Sequence, residues 1–111
     1  MSTIFGKIVK GELPCEKVYE NAHLIAIKDI APVAPVHILI IPKKEIADLQ
    51  SLKGSDMYLL EEIVKAAQKI AEQLEIDHGY RLVCNSGPEA GQTIFHLHFH
   101  LIGGRRLTHL G

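Results

Sequence analysis

The sequence predicts one α+β domain over residues 1–111: an antiparallel five-stranded sheet with one long helix and a short N-terminal helix. Three observations predict it. Hydrophobic patterning runs in the order strands, helix, strands; short turn signals join most of the strands; and a single stretch carries a sustained helical period. At 111 residues, with 47% of them hydrophobic, the chain is long enough for one core. No internal repeat or linker-like change of composition divides it.

The elements follow in chain order. Thr3 to Lys10 is a short amphipathic stretch with Thr3 as its N-cap, stopped by Gly11 and Pro14. Lys17–Glu20 and Leu24–Asp29 read as two strands joined by Asn21-Ala22-His23. Pro32 and Pro35 make Ile30 to Val36 a loop, after which His37–Ile41 is a β-branched strand ending at Pro42. Glu45 to Leu49 suits a short helical turn. Ser55 is a candidate N-cap for a helix over about Asp56–Leu74. Its apolar face is read as Leu60, Ile63, Val64, Ala67, Ile70, Ala71 and Leu74. Tyr80–Asn85 reads as a strand, Ser86–Gly91 as a loop, and Thr93–Ile102 as the last strand, closed by Gly103-Gly104.

Composition excludes several classes of function. A formal charge of -1 does not fit a strongly basic nucleic-acid binder. The apolar content argues against disorder. The longest apolar run, Ile38 to Pro42, is far below the roughly 20 residues that cross a bilayer, so no membrane association is expected. No basic-then-apolar secretory pattern opens the chain. Cys15 and Cys84 make no disulfide framework and read as free thiols. A cytoplasmic protein is expected.

The chemistry concentrates near the C-terminus. Phe95, Leu97, Phe99 and Leu101 alternate with His96, His98, His100 and Ile102. In a regular strand the first set faces the core and the three imidazoles line the opposite face. A solvated sheet face ordinarily carries Lys, Thr, Glu or Ser, so three histidines in register ask for a function. A metal site is the rival reading, since histidines at i and i+2 are about 6.6 Å apart and can share a zinc ion. His96 and His100, however, are about 13 Å apart in a regular strand, too far for one ion, and ligands from elsewhere, His37 above all, would be needed. No Cys-x-x-Cys or His-Glu-x-x-His is present to support it. A neutral imidazole, by contrast, is a competent nucleophile, base or acid near neutral pH, and crowded imidazoles keep one another uncharged. That suits covalent catalysis with a ring nitrogen attacking phosphorus. The loop from Asn85 to Thr93 leads straight into these histidines, and its glycines and its Asn85, Ser86, Gln92 and Thr93 side chains are suitable donors to phosphate oxygens.

These residues resemble the histidine-triad family, whose signature of histidines alternating with apolar residues stands here as His96-Leu97-His98-Phe99-His100-Leu101-Ile102. The resemblance extends over nearly the whole chain: Thr3-Ile-Phe-Gly-Lys-Ile8, Asp29 through His37, Ile41-Pro-Lys-Lys44, Gly91 through His96, and Gly103-Gly-Arg105 follow in the family's order. Gly103-Gly-Arg105 is more similar to the nucleotide-binding Hint branch than to the Fhit branch.

The resemblance implies a homodimer with the two sheets joined, acting on purine nucleoside 5′-phosphoramidates, with no cofactor and no metal. It implies His98 as the nucleophile, with His96, His100 and His37 orienting it and the phosphate. It implies Asn85 and Thr93 as contacts to the phosphate or the leaving group and Asp29 as acceptor for the ribose hydroxyls, with Gln92 of the same loop a further substrate contact. Phe5, Ile8, Ile27 and Ile30 would form the slot for an AMP-like base. Dinucleoside polyphosphate hydrolysis of the Fhit type, or a nucleotide-binding interaction module, are the alternatives. Two residues depart from the pattern: Thr93 stands where the Hint branch commonly has serine, and Ile27 replaces an aromatic at the base. The short tail from Arg106 to Gly111 lacks tryptophan, which leaves the leaving group open.

Overall fold

The computed structural model describes residues 3–110. Helix α1 spans Ile4–Val9. Thr3 Oγ1 caps it by accepting from the Gly6 N–H at 3.1 Å, and the inward side buries Phe5. Strands β1 (Lys17–Glu20) and β2 (Leu24–Lys28) form a hairpin whose turn is built by Asn21. Its Oδ1 accepts from both the His23 and Leu24 N–H groups at 2.8 Å, an Asx turn that replaces missing ladder bonds. Strand β3 (Val36–Pro42) follows, then helix α2 (Tyr58–Gln73), β4 (Tyr80–Val83) and β5 (Phe99–Gly103). All pairings are antiparallel and the sheet order is β1-β2-β3-β5-β4, the five-stranded α+β architecture that the patterning predicts.

Alternation along β2 and β3 divides the core into two layers. Leu24, Ala26, Ile38 and Ile40 join Leu101 and pack against Ile63, Ala66, Ala67, Ile70 and Ala71 of α2. Ile25, Ile27, Leu39 and Ile41 point the other way, onto Phe5. Both central strands are therefore buried on each face, and burial of each Leu or Ile side chain contributes about 1.5–3 kcal/mol. The face carrying Phe5 is also the face carrying His37, which follows from the two-residue period.

Several boundaries differ from those the sequence predicts. The helix begins at Tyr58, and neither Ser55 nor Met57 caps it through a side chain. Gly54–Asp56 instead form a 3-10 turn, anchored by Asp56, whose carboxylate accepts from the Lys53 N–H at 3.0 Å and pairs with Lys44. On α2, Val64 and Leu74 are exposed, and Leu59 and Ala66 are buried in their place. Val64 lies about 100° around the helix from Ile63, outside the buried stripe, and Leu74 is the C-cap. The expected turn at Glu45–Leu49 forms later, at Leu49–Ser51, where the Asp48 carboxylate accepts from the Ser51 N–H.

The largest difference is in the last strand, which starts at Phe99 and not at Thr93. Ahead of it the chain docks onto the segment after β3: the Leu97 N–H donates to the Ile46 carbonyl at 2.7 Å, and His96 Nε2 bonds the Pro42 carbonyl at 2.7 Å. Simple alternation therefore fails at Phe95, which is exposed, while His96 and Leu97 are both buried. At the far end of β5, Gly104 has φ +93°, and a Cβ there would lie 2.9 Å from Pro35 Cβ. Only glycine lets the chain turn this tightly against the Pro35 loop. Among the described residues no helix is long and apolar enough to cross a membrane.

Candidate active site

Strand β3 carries His37 and β5 carries His100 onto the same sheet face, one strand apart, and His98 enters from the segment just before β5. The rings form a chain: His37 and His100 have centroids 5.1 Å apart, His100 and His98 5.2 Å. The edge of Phe5 meets His98 at 4.8 Å.

Hydrogen-bond partners of fixed character settle where the ring protons sit. The Val33 N–H donates to His37 Nδ1 at 3.2 Å, so neutral His37 carries its proton on Nε2. That Nε2–H donates to His100 Nδ1 at 2.9 Å, with Asp29 Oδ2 a second acceptor 3.3 Å away. His100 then holds its own proton on Nε2. His98 is set in the opposite sense: its Nδ1–H donates to the His96 carbonyl at 2.8 Å, leaving a bare lone pair on Nε2. Burial pushes the His98 pKa down from the ordinary imidazole range, against the hydrogen bond that its Nδ1–H donates to the His96 carbonyl. Burial, with the neighbouring His98 and His37, lowers His100 to about 4. At neutral pH both rings are uncharged, as the crowding of imidazoles predicts.

Next to these rings lies a pocket of about 240 Å³. Its apolar walls include Phe5, Ile8, Ile27 and Ile30, the residues that sequence reasoning assigns to a base, and its polar side has Asp29, Thr93, His98 and His100. Ile4, Leu39 and Ile94 line it as well and were not anticipated. Leu39 was legible, being two residues beyond His37 on the same strand face; Ile94 was not, because the chain there is irregular. Ile30 is fully exposed at the rim, an apolar side chain with nothing over it.

The remaining predicted residues lie behind or beside the pocket. His96 is buried, its ring bonded to Pro42 and only its carbonyl turned to His98. Asn85 is half-buried and outside the pocket lining. Gln92 is buried and uses its whole amide on backbone: Oε1 accepts from the Gly87 N–H at 2.8 Å, and Nε2 donates to the Ala47 and Ile94 carbonyls at 2.7 and 3.1 Å. It acts as a clamp on the loop that ends at Thr93.

Asp29, His37 and His100 place three potential ligand atoms within 4.8 Å, a spacing that suits a metal ion. The donor chemistry opposes one. The Val33 N–H occupies the only other nitrogen of His37, so a cation on Nε2 would require either an imidazolate or two facing N–H groups. The cluster is built around a shared proton.

Comparison with known proteins agrees with this geometry. Residues 10–107 match the family described as the HIT domain. A HIT-like protein of Chlamydia pneumoniae is 52% identical over 105 residues, covering 95% of this chain and 96% of its own. A HIT family hydrolase from Legionella pneumophila superposes with a TM-score of 0.94 at 42% identity, over 96% of each chain. A histidine triad nucleotide-binding protein from Candida albicans does so at 0.82 and 32% identity, over 99% of this chain and 86% of that one. With the fold, the three histidines and the relatives in agreement, this chain belongs to the HIT, or histidine-triad, family.

Proposed function

We propose that this protein hydrolyses purine nucleoside 5′-phosphoramidates through a covalent nucleotidyl-His98 intermediate. The observation that carries the reading is the bare Nε2 of His98, held neutral by burial and fixed in its tautomer by the His96 carbonyl. A nucleophile of this kind is already in the protonation state for attack at neutral pH.

In the proposed sequence the base enters the slot between Phe5, Ile8, Ile27 and Ile30, and Asp29 accepts from the ribose hydroxyls. His98 Nε2 forms a bond to the α-phosphorus as the phosphorus–nitrogen bond breaks, the leaving nitrogen takes its proton from solvent and departs as the amine, and His100 Nε2–H donates a hydrogen bond to a phosphate oxygen. Water then attacks phosphorus and releases its proton to solvent, the phosphorus–nitrogen bond to His98 breaks, and the nucleoside monophosphate leaves with His98 Nε2 bare again. His37 and Asp29 support His100 through the shared proton. Thr93, on the lining of the pocket, supplies a hydroxyl beside the phosphate, and Asn85 is assigned to the leaving group. The nucleotide-binding and hydrolase descriptions of the Candida albicans and Legionella pneumophila relatives support the substrate class.

The unpaired edges β1 and β4 offer the places where two sheets join in the proposed homodimer, and light scattering of the eluting protein checks its mass. The site of action is proposed to be the cytoplasm. The enzyme reading is tested with His98→Ala on adenosine 5′-phosphoramidate, with diadenosine triphosphate as the comparison substrate. Turnover of the phosphoramidate is expected to vanish while AMP still binds; retained turnover refutes the mechanism, and a wild-type preference for the dinucleotide refutes the substrate.

A further inference from the structure

We infer that Arg105 is a positioning residue for the histidines: acting through Val33, it keeps the proton of His37 on Nε2, so that His100 keeps an N–H turned towards the phosphate. The proton position belongs to the free protein, and only its consequence for turnover rests on the phosphoramidase reading above.

The loop over residues 30–35 joins β2 to β3 with little apolar packing to hold it, since Ile30, Ala31, Pro32, Val33 and Pro35 are all exposed. Hydrogen bonds fix it instead. At its start Asp29 Oδ1 accepts from the Ala31 N–H at 2.8 Å, and across its base the Asp29 N–H donates to the His37 carbonyl at 3.0 Å. Its middle is held through Val33 alone among the described residues. The Val33 N–H donates to His37 Nδ1 at 3.2 Å, and the Val33 carbonyl accepts from Arg105 Nη2 at 3.0 Å. Arg105 Nη1 donates to the Arg106 carbonyl at 3.0 Å, so both arms of the guanidinium fork are spent on backbone. Among the described residues no ion pair draws the arginine elsewhere. The turn that delivers it is equally constrained: a Cβ on Gly103 would lie 2.9 Å from Ile76 Cδ1, and one on Gly104 2.9 Å from Pro35 Cβ. Gly104 and Arg105 thus fasten the end of β5 to the loop at two successive residues.

The chain of donors has a direction, and Val33 sets it. The Val33 N–H excludes a proton from His37 Nδ1, so the proton on Nε2 is given to His100 Nδ1, and His100 carries its own on Nε2. With that loop N–H displaced the pair can run the other way. His37 then holds its proton on Nδ1, its Nε2 accepts from a His100 Nδ1–H, and His100 presents a bare lone pair where a phosphate oxygen needs a donor. Asp29 Oδ2, 3.3 Å from His37 Nε2, favours the native sense as well, so loss of Arg105 gives a partial reversal and a moderate loss of rate.

The test reads the proton itself. Imidazole nitrogen chemical shifts, measured by NMR in histidine-labelled protein without substrate, tell which nitrogen of each ring is protonated. In the wild type His37 Nδ1 is expected to be bare and His100 Nε2 protonated. Arg105→Met, which keeps the aliphatic stem and removes the donors, is expected to put a measurable fraction of the proton on His37 Nδ1. It is expected to lower kcat/KM on adenosine 5′-phosphoramidate on the order of fivefold, the worth of one exposed hydrogen bond. Arg105→Lys, with a donor for the Val33 carbonyl, is expected to restore most of both. In a Val33→Pro background, which lacks the N–H itself, Arg105→Met is expected to add nothing. Thermal unfolding and light scattering check that each variant keeps the fold and mass of the wild type. A His37 Nδ1 that stays bare in Arg105→Met, or a loss of rate without the proton shift, overturns the inference. A proton shift with turnover unchanged upholds the positioning and counts instead against the part given to His100 in phosphoramidate hydrolysis.

Discussion

Replacing Gln92 with Ala removes the clamp of the phosphate-side loop and separates two roles that sequence reasoning does not distinguish. A substrate contact would cost activity alone, whereas a clamp costs stability first. The amide makes three hydrogen bonds, at 2.8, 2.7 and 3.1 Å, from a side chain that is 4% exposed. Each such bond contributes about 1 kcal/mol net, and a partner left dry costs about 1–3 kcal/mol. Ala47 is exposed and can recruit water, whereas Gly87 and Ile94 are half-buried. The loss is then about 2–4 kcal/mol, which for a domain of this size moves the urea midpoint down by roughly 1–2 M. Gln92→Glu is no rescue, because it keeps the acceptor for Gly87 but sets carboxylate oxygen against two carbonyls. Urea unfolding followed by far-UV circular dichroism reads both variants. A midpoint within about 0.3 M of wild type, with turnover lost, refutes the clamp and returns Gln92 to the substrate.

Four other outcomes are expected. Because the His98 pKa is lowered and that of His100 sits at about 4, the acid limb of kcat/KM falls below the ordinary imidazole value of 6.5, read from a pH–rate profile. For the same His100, the unfolded chain binds the extra proton between pH 6.5 and about 4, so stability is expected to fall as pH drops through that window, read from urea midpoints at pH 7 and 5. Gly104→Ala, which forces a Cβ into a positive-φ position 2.9 Å from Pro35, is expected to lower stability by about 1–3 kcal/mol, read by thermal unfolding. Turnover is expected to be unchanged after dialysis against a chelator; loss restored by zinc would contradict the proton-sharing reading of Asp29, His37 and His100.

What was legible in the sequence was whatever local chemistry decides. Thr3 caps α1 and Asn21 turns the β1–β2 hairpin because each side chain bonds backbone within three residues. The β-branched run of β3 and the stripe of Ile63, Ala67, Ile70 and Ala71 reflect a period that burial enforces. What was not legible depends on distant partners. The histidine segment stays out of the strand until Phe99, docked instead by its His96 ring to a carbonyl 54 residues earlier. Gln92 looks like a donor to ligand until Ala47, 45 residues away, claims it. Ser55 has the right identity for a cap, yet Asp56 with Lys44 sets the turn ahead of α2. The tautomers at His37 and His98 are the furthest from sequence, since they depend on a loop N–H and a backbone carbonyl.

The central claim is that His98 Nε2 is the atom that attacks. It is tested most directly by rapid acid-free quenching of the protein during turnover of a labelled adenosine 5′-phosphoramidate, followed by peptide mass spectrometry. The account predicts a nucleotidyl group on His98 that disappears as substrate is exhausted. Turnover at full rate with no adduct, or with the adduct on His96 or His100, would contradict it.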